Sequence, residues 1–172
     1  RIPSADALGA AVHFARDAGF ESVNLDLMYG LPGQSLASWQ RTLEHAIALE
    51  TDHISCYALT VEDATPLARR VERGEVQPAT ADTAADHYEL AIALLADAGF
   101  RQYEISNWAK PGHQSRHNRV YWTDGDYLAI GAGAHGYMGG ERYENAAHPR
   151  VYIDRVRSAV PNDTRPAVVN AY

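Results

Sequence analysis

Hydrophobic and polar positions along the first hundred residues fall into two patterns, Ala-rich runs that predict helices and short alternating runs that predict strands. The segments "HFARDAGFESVNLDLMYG" and "ALLADAGFRQYEISNWAKPG" share Asp-Ala-Gly-Phe, at Asp17 to Phe20 and Asp97 to Phe100. Each copy closes a helical run and opens a strand-like one. Gly19 and Gly99 stand where a helix ends in a left-handed residue, and the Phe after each is expected to pack back on the last turn. A third unit, Ser35 to Glu50 followed by Asp52 to Thr60, repeats the helix-then-strand order without the Gly. Ser4 and Ser35 are expected N-caps. Thr65 followed by Pro66 starts a short helix that Gly74 ends, and Thr80 caps a longer one reaching Ala98.

Helices alternating with single strands predict an α/β fold, a parallel sheet or barrel. Three units leave long edges open, so further strands are expected upstream. The chain starts at Arg1 without a methionine, directly at a helix signal, and reads as a piece of a longer protein. In the first strand, alternation puts Val23, Leu25 and Leu27 on one face and Asn24, Asp26 and Met28 on the other. The aliphatic set suits the helices. Asp26 would then point inward near the C-terminal end of its strand, where α/β proteins place ligands. The same carboxylate could instead tie down the turn "YGLPGQ", and the pattern leaves both readings open. Beyond Thr60 the pattern loosens into linker and short helix up to Pro78. A soft boundary near Val61 therefore divides residues 1–61 from 62–172. The last segment, "VPNDTRPAVVNAY", reads as surface. An incomplete barrel exposes strand edges and apolar interior, so the isolated chain is expected to be poorly soluble or oligomeric.

With 172 residues, 46% hydrophobic and 22% charged, the chain is long enough to bury a sizeable core. A formal charge of -7 excludes the dense basic face of a nucleic-acid binder. The single cysteine, Cys56, excludes an intramolecular disulfide and any multi-cysteine metal site from this chain alone. Its rarity agrees with a reducing, cytoplasmic compartment. No apolar run approaches the roughly 18 residues of a membrane span.

Several motifs carry candidate chemistry. "GAGAHG", Gly131 to Gly136, matches G-x-G-x-x-G, but a dinucleotide site needs a helix N-terminus after it, and "YMGGERYENA" follows instead. Close backbone approach to a ligand or another strand is the expected use of these glycines. His113 and His117 have the i, i+4 spacing of a metal clamp, but Pro111 and Gly112 disfavour the helix it needs. His135 is placed to reach a ligand or to hold a turn. Cys56, in "ISCYAL", reads as a packed thiol. Glu104, in "QYEISN", reads as a buried acid or as the polar face of a half-exposed strand. No G-x-S-x-G elbow occurs. "SRHNRVYW", Ser115 to Trp122, sets an imidazole and an amide beside two large aromatics. Such a group suits a flat, polarisable ligand, or it closes the end of a barrel while His117 and Asn118 satisfy backbone groups.

Four ordered blocks make a specific resemblance. "NLDLMYGLPGQS", "HISCYALTVEDATPLA", "YEISNWAKPGHQSRHNRVYW" and "YLAIGAGAHGY" resemble the second half of the oxygen-independent coproporphyrinogen oxidase-like radical S-adenosylmethionine proteins, closest to their heme chaperone branch. The resemblance implies the second half of a partial six-stranded (β/α) barrel with an additional α+β extension. It implies that Asp26 contacts S-adenosylmethionine, that Met28 lines the same pocket, and that the Thr60 region approaches the adenosyl part. H-N-x-x-Y-W is similar to the signature associated with heme in the chaperone branch. His117 is then the expected ligand to heme iron. Tyr121 and Trp122 would supply apolar area, and Asn118 would orient the imidazole or tie down the loop.

Departures from the family pattern limit what this chain does alone. The cysteine triplet that holds the family's [4Fe-4S] cluster is missing, as is the glycine-rich strand that grips the methionyl part of the cofactor. The chain alone is therefore not expected to hold the cluster or cleave S-adenosylmethionine. Ala129 and Ala132 stand where relatives often have Gly and Pro. The implied function is heme binding and delivery to respiratory proteins. The alternatives are radical decarboxylation of coproporphyrinogen propionates and, from "GAGAHG", nucleotide-dependent oxidoreduction. The family works beside membrane-bound acceptors, which leaves peripheral membrane association and a homodimer open.

Overall fold

Side-chain hydroxyls start the helices at the expected places. In the computed structural model, which describes residues 5–158, Ser35 Oγ accepts the Ser38 N–H at 3.2 Å and so opens α2 (Leu36–Ala48). Thr65 does the same for α3 (Pro66–Glu72) and Thr80 for α4 (Ala81–Asp97). α1 spans Ala5–Asp17. The expected cap at Ser4 and the segment from Val160 onward lie outside the described residues.

Both Asp-Ala-Gly-Phe copies end their helices alike. Gly19 and Gly99 adopt φ of 86° and 85°, and the Phe amide after each bonds back to a carbonyl five residues earlier. The two Phe side chains differ, however. Phe100 is 4% exposed and joins the core, whereas Phe20 is 64% exposed. The last turn of α4 is buried through Leu95, but α1 turns Phe14 to solvent and offers Phe20 no covered turn.

The strands are β1 (Asn24–Tyr29), β2 (His53–Ala58), β3 (Arg101–Glu104) and β4 (Asn107–Ala109). They form one sheet in the order β1-β2-β4-β3. β1 and β2 run parallel with Asp26 opposite Ser55. The expectation of a parallel sheet holds for that pair only, because Ile105 and Ser106 join β3 to β4 by a link that permits only an antiparallel hairpin. β4 then inserts antiparallel beside β2. Residues 62–114 thus complete the sheet that β1 and β2 begin. The compact unit ends at Gln114, not near Val61, and a second unit starts at Ser115.

Alternation assigns one side of this sheet to the core. Leu25, Tyr29, Ile54, Cys56 and Trp108 are buried against α2 and α4. α2 contributes Trp39, Leu43 and Ala46, and α4 contributes Ala91 and Leu95, each set at helical spacing. Trp39 Nε1–H donates to the His87 carbonyl at 2.8 Å, so the indole reaches α4 without leaving a buried donor unpaired. Cys56 has its thiol pushed up to about 12 by burial and acts as a packed side chain.

One carboxylate ties two connections together. Asp52 Oδ2 accepts from the Val23 N–H at 3.0 Å and pairs with Arg16, whose guanidinium also reaches the Glu21 carbonyl at 3.1 Å. Burial alone would raise the Asp52 pKa. The Val23 and Arg16 hydrogen bonds outweigh it and hold the carboxyl below its ordinary value.

The second unit consists of α5 (Arg116–Trp122), a hairpin of β5 (His135–Met138) and β6 (Glu141–Glu144), and α6 (Pro149–Ser158). Gly139 and Gly140, at φ of 61° and 86°, make the two-residue turn. Tyr143 lies across Gly136, directly opposite it in the ladder, and its hydroxyl accepts the Ala129 N–H at 2.9 Å. The buried Asn145 amide donates to the carbonyls of Ala129 and Gly131 at 3.1 and 2.9 Å. "GAGAHG" is therefore a loop that feeds a strand, held by close backbone approach, with no helix behind it.

Two outcomes are expected. Gly136→Ala puts a methyl into the Tyr143 ring and should cost about 1–3 kcal/mol, seen as a lower thermal midpoint, whereas Gly139→Ala meets no neighbour and strains only its φ. Because the folded carboxyl of Asp52 binds its proton less readily than the unfolded one, its stabilisation is present above the unfolded value near 3.9 and lost as pH falls through the folded value. Asp52→Asn should accordingly lower the melting temperature at pH 7 and converge on wild type in acid.

Candidate functional site

The face of the sheet turned away from the helices is mostly polar near the starts of β1 and β2. Asn24, Asp26 and Met28 come from β1, and their register partners His53, Ser55 and Tyr57 come from β2. β4 adds Asn107, opposite Ser55. Sequence alternation thus places Asp26 on the side expected for it. The turn reading fails, since Asp26 Oδ1 accepts from the Asn24 side chain at 2.7 Å. The "YGLPGQ" turn is held instead by Gln34, whose side chain accepts the Leu31 N–H at 3.2 Å.

The polar groups form a chain whose directions can be assigned. The Asp26 carboxylate can only accept, so the Asn24 amide turns its NH₂ toward it and its Oδ1 the other way. That oxygen lies 2.6 Å from His53 Nδ1 and also accepts from Ser55 Oγ at 3.3 Å. Nδ1 therefore carries the proton. Nε2, left as an acceptor, takes the Tyr103 hydroxyl at 2.7 Å. Burial lowers the His53 pKa, while Asp26 and Glu104 oppose that shift in part, so the imidazole is neutral at neutral pH. On β4, the Asn107 amide donates to Glu104 Oε1, which also accepts the Ser106 N–H at 3.0 Å. Glu104 thus holds the β3–β4 hairpin. Asn107 itself is 4% exposed, and its Oδ1 has no donor among the described residues.

Towards the strand ends the face becomes apolar and open. Met28 and Tyr57, register partners, are both exposed. Thr60 follows two residues after β2 ends at Ala58 and is exposed in the loop. Asp26 and Met28 thus share one face of β1, while Thr60 lies in the loop that follows β2. Sequence alternation put Asn24 on this face beside Asp26 but did not reveal its partners His53, Ser55, Tyr103 and Asn107, although His53 was legible as a polar residue entering an otherwise apolar strand.

"RHNRVYW" forms helix α5, where a loop was expected. Ser115 Oγ accepts the Asn118 N–H at 3.2 Å and caps it, and the helix places His117 and Tyr121 one turn apart. His117 Nε2 lies 2.9 Å from the Tyr121 hydroxyl, and Tyr121 meets Tyr127 at a 4.4 Å ring separation. Tyr127 stacks on Tyr137 at 6.3 Å. His117, Tyr121 and Trp122 are exposed and Asn118 half-buried. His113 precedes α5, so it shares no helix with His117. His135 faces Glu144 across the hairpin at 3.8 Å. Among the described residues no group of three His, Cys, Asp or Glu could hold a metal ion. Nor is any helix among them long and apolar enough to cross a membrane.

The neutral His53 has a pH consequence. Below about 6.5 the unfolded chain binds a proton that the folded imidazole resists, so stability falls with pH there. His53→Gln should flatten that decline between pH 7 and 5 in thermal melts, and the His53 ring protons should titrate below 6.5 in wild type.

Comparison with known proteins gives these features a context. No protein-family model matches the chain. It is 45% identical over 159 residues to heme chaperone HemW of Mycobacterium tuberculosis (strain CDC 1551 / Oshkosh), covering 92% of this chain and 41% of that protein. To heme chaperone HemW of Bacillus subtilis (strain 168) it is 41% identical over 142 residues, 83% of this chain and 38% of that one. Mitochondrial radical S-adenosyl methionine domain-containing protein 1 of Mus musculus is 46% identical over 114 residues, 66% of this chain and 26% of that one. In structure, the chain is similar to coproporphyrinogen III oxidase (HemN) from Escherichia coli, with a TM-score of 0.71 at 22% identity over 92% of this chain and 39% of that one. That likeness agrees with an α/β fold forming part of a radical S-adenosylmethionine barrel. The chain spans about two fifths of the length of the HemW relatives it matches. By its sequence relatives and its fold, the chain belongs to the HemW/HemN-like radical S-adenosylmethionine family.

Proposed function

We propose that this chain is part of a cytoplasmic heme chaperone that binds S-adenosylmethionine and heme and delivers heme to respiratory proteins. The observation that carries the reading is the division of the β1–β2 sheet into a packed face and a polar face with Asp26 on the latter. S-adenosylmethionine presents hydroxyl and amino donors and a flat base. The exposed acceptor Asp26, on the same face of the sheet as exposed Met28 and Tyr57, fits such a ligand. Asp26 would hold donor groups, Met28 would pack on the base, and Thr60 would bound the adenosyl end. When bound beside its cluster, the cofactor supplies the radical chemistry of the family. Cys56 does not fit a [4Fe-4S] ligand, because it is buried on the helix side of the sheet with its thiol pushed up to about 12. Cluster ligands must come from outside this chain.

Heme would be the cargo of such a chaperone. The unit that starts at Ser115 would belong to the family-specific addition, and α5 within it would present His117 to iron with Tyr121 and Trp122 as apolar walls. Tyr121 bonds His117 Nε2, so ligation through that nitrogen requires the hydroxyl to give way. Asn118 then serves the start of α5 through its backbone N–H. The coproporphyrinogen oxidase reading rests on likeness of fold alone.

Heme titration of the full-length protein carrying this segment, followed in the Soret region, tests the proposal. The expected result is a shifted band that His117→Ala weakens and Tyr121→Phe retains. Equal titrations for wild type and His117→Ala would remove His117 from the site. Conversion of coproporphyrinogen to protoporphyrinogen by the same protein would replace the chaperone reading with the oxidase.

A further inference from the structure

A hydrogen-bonded chain runs behind Asp26 on the face of the sheet opposite the packed core. It runs from an exposed carboxylate into the sheet, through Asn24 at 2.7 Å and His53 at 2.6 Å, to the Tyr103 hydroxyl at 2.7 Å. Three strands contribute, with sequence separations of 29 and 50 residues between successive partners. Asn24 Oδ1 receives two donors, from His53 and Ser55, which fixes the amide plane and leaves its NH₂ aimed at Asp26. A neutral Nδ1–H imidazole is the one histidine form that both donates to Asn24 and accepts from Tyr103.

We infer that Asn24 and His53 are positioning residues for ligand binding. They hold the Asp26 carboxylate in one rotamer on the open face, so that it meets the donor groups of an adenosyl-type ligand without reorganising. The effect is preorganisation. A carboxylate on a solvent-facing strand position samples several rotamers, and a ligand that needs one of them binds less tightly by the fraction of time it is absent. Tyr103 sets the tautomer from the far end, and Ser55 supports the Asn24 amide. The inference rests on the proposed role of Asp26 toward S-adenosylmethionine.

The test is calorimetric titration of S-adenosylmethionine into the full-length protein carrying this segment. The variants are Asp26→Ala, Asn24→Leu, His53→Phe, His53→Asn, and the double variant Asp26→Ala with His53→Phe. Asn24→Leu and His53→Phe should each weaken binding by about tenfold, the worth of one lost charge-linked hydrogen bond. His53→Asn, whose amide can donate from near the Nδ1 position, should recover most of the affinity. The double variant should bind no more weakly than Asp26→Ala alone, since His53 acts only through Asp26. Melting temperatures and circular dichroism identify any variant that fails to fold, and for such a variant the decisive measurement is ¹⁵N NMR of the wild-type protein. There the His53 nitrogens should show the Nδ1–H neutral tautomer before and after ligand addition, and an Nε2–H signature would overturn the inference. Wild-type affinity in folded His53→Phe and Asn24→Leu, with Asp26→Ala still weak, would overturn the positioning role and leave the Asp26 assignment standing. Unchanged binding in Asp26→Ala would instead overturn the assignment on which the inference rests. Additive losses in the double variant would mean that His53 acts independently of Asp26, and would also overturn it.

Discussion

Successive side chains of a β-strand point to opposite sides of the sheet, and most of this structure depends on that constraint. Once Leu25, Leu27, Ile54 and Cys56 are committed to the helices, Asn24, Asp26, His53 and Ser55 have nowhere to go but the other side. Of these, His53 and Ser55 are buried and must find partners, because an unpaired buried donor or acceptor costs roughly 1–3 kcal/mol. Both bond to Asn24 Oδ1. Among the described residues, the buried Asn107 Oδ1 finds no hydrogen-bond partner.

The helices hold this arrangement without contributing to the face. α2 and α4 bury Trp39, Leu43, Ala91 and Leu95 completely, and the Trp39–His87 hydrogen bond joins the two helices. The Asp52 carboxylate anchors the residues where β1 and β2 begin, which sets their register from the N-terminal end. Register matters more here than in a two-sided polar sheet. A slip of one residue would turn Asp26 into the core and Leu25 into the site.

Much of this was legible before any coordinates. The caps at Ser35, Thr65 and Thr80, the glycines that end α1 and α4, and the inward parity of Asp26 all follow from local rules that reach only a few residues. What was not legible is long-range. Nothing local says that the three residues of β4 insert between β2 and β3, so the pattern along the chain loosens near Val61 although the sheet is completed only by residues up to Ala109. The His53–Tyr103 bond joins residues 50 apart, beyond any pattern along the chain. Phe20 and Phe100 follow identical tripeptides, and only the depth of the preceding helix separates their fates. "RHNRVYW", set among glycines and prolines, reads as loop, yet its Ser115 cap and one-turn spacing suffice for a short helix.

The central claim is that the packed face of the sheet serves the fold and the polar face serves the ligand. A crystal structure of the full-length protein with S-adenosylmethionine bound tests it most directly. The account predicts ligand density over Asp26 and Met28 at the C-terminal ends of β1 and β2, with Asn24 still bridging Asp26 to His53. Ligand density away from that face, with the Asp26 carboxylate turned to bulk water, would contradict it.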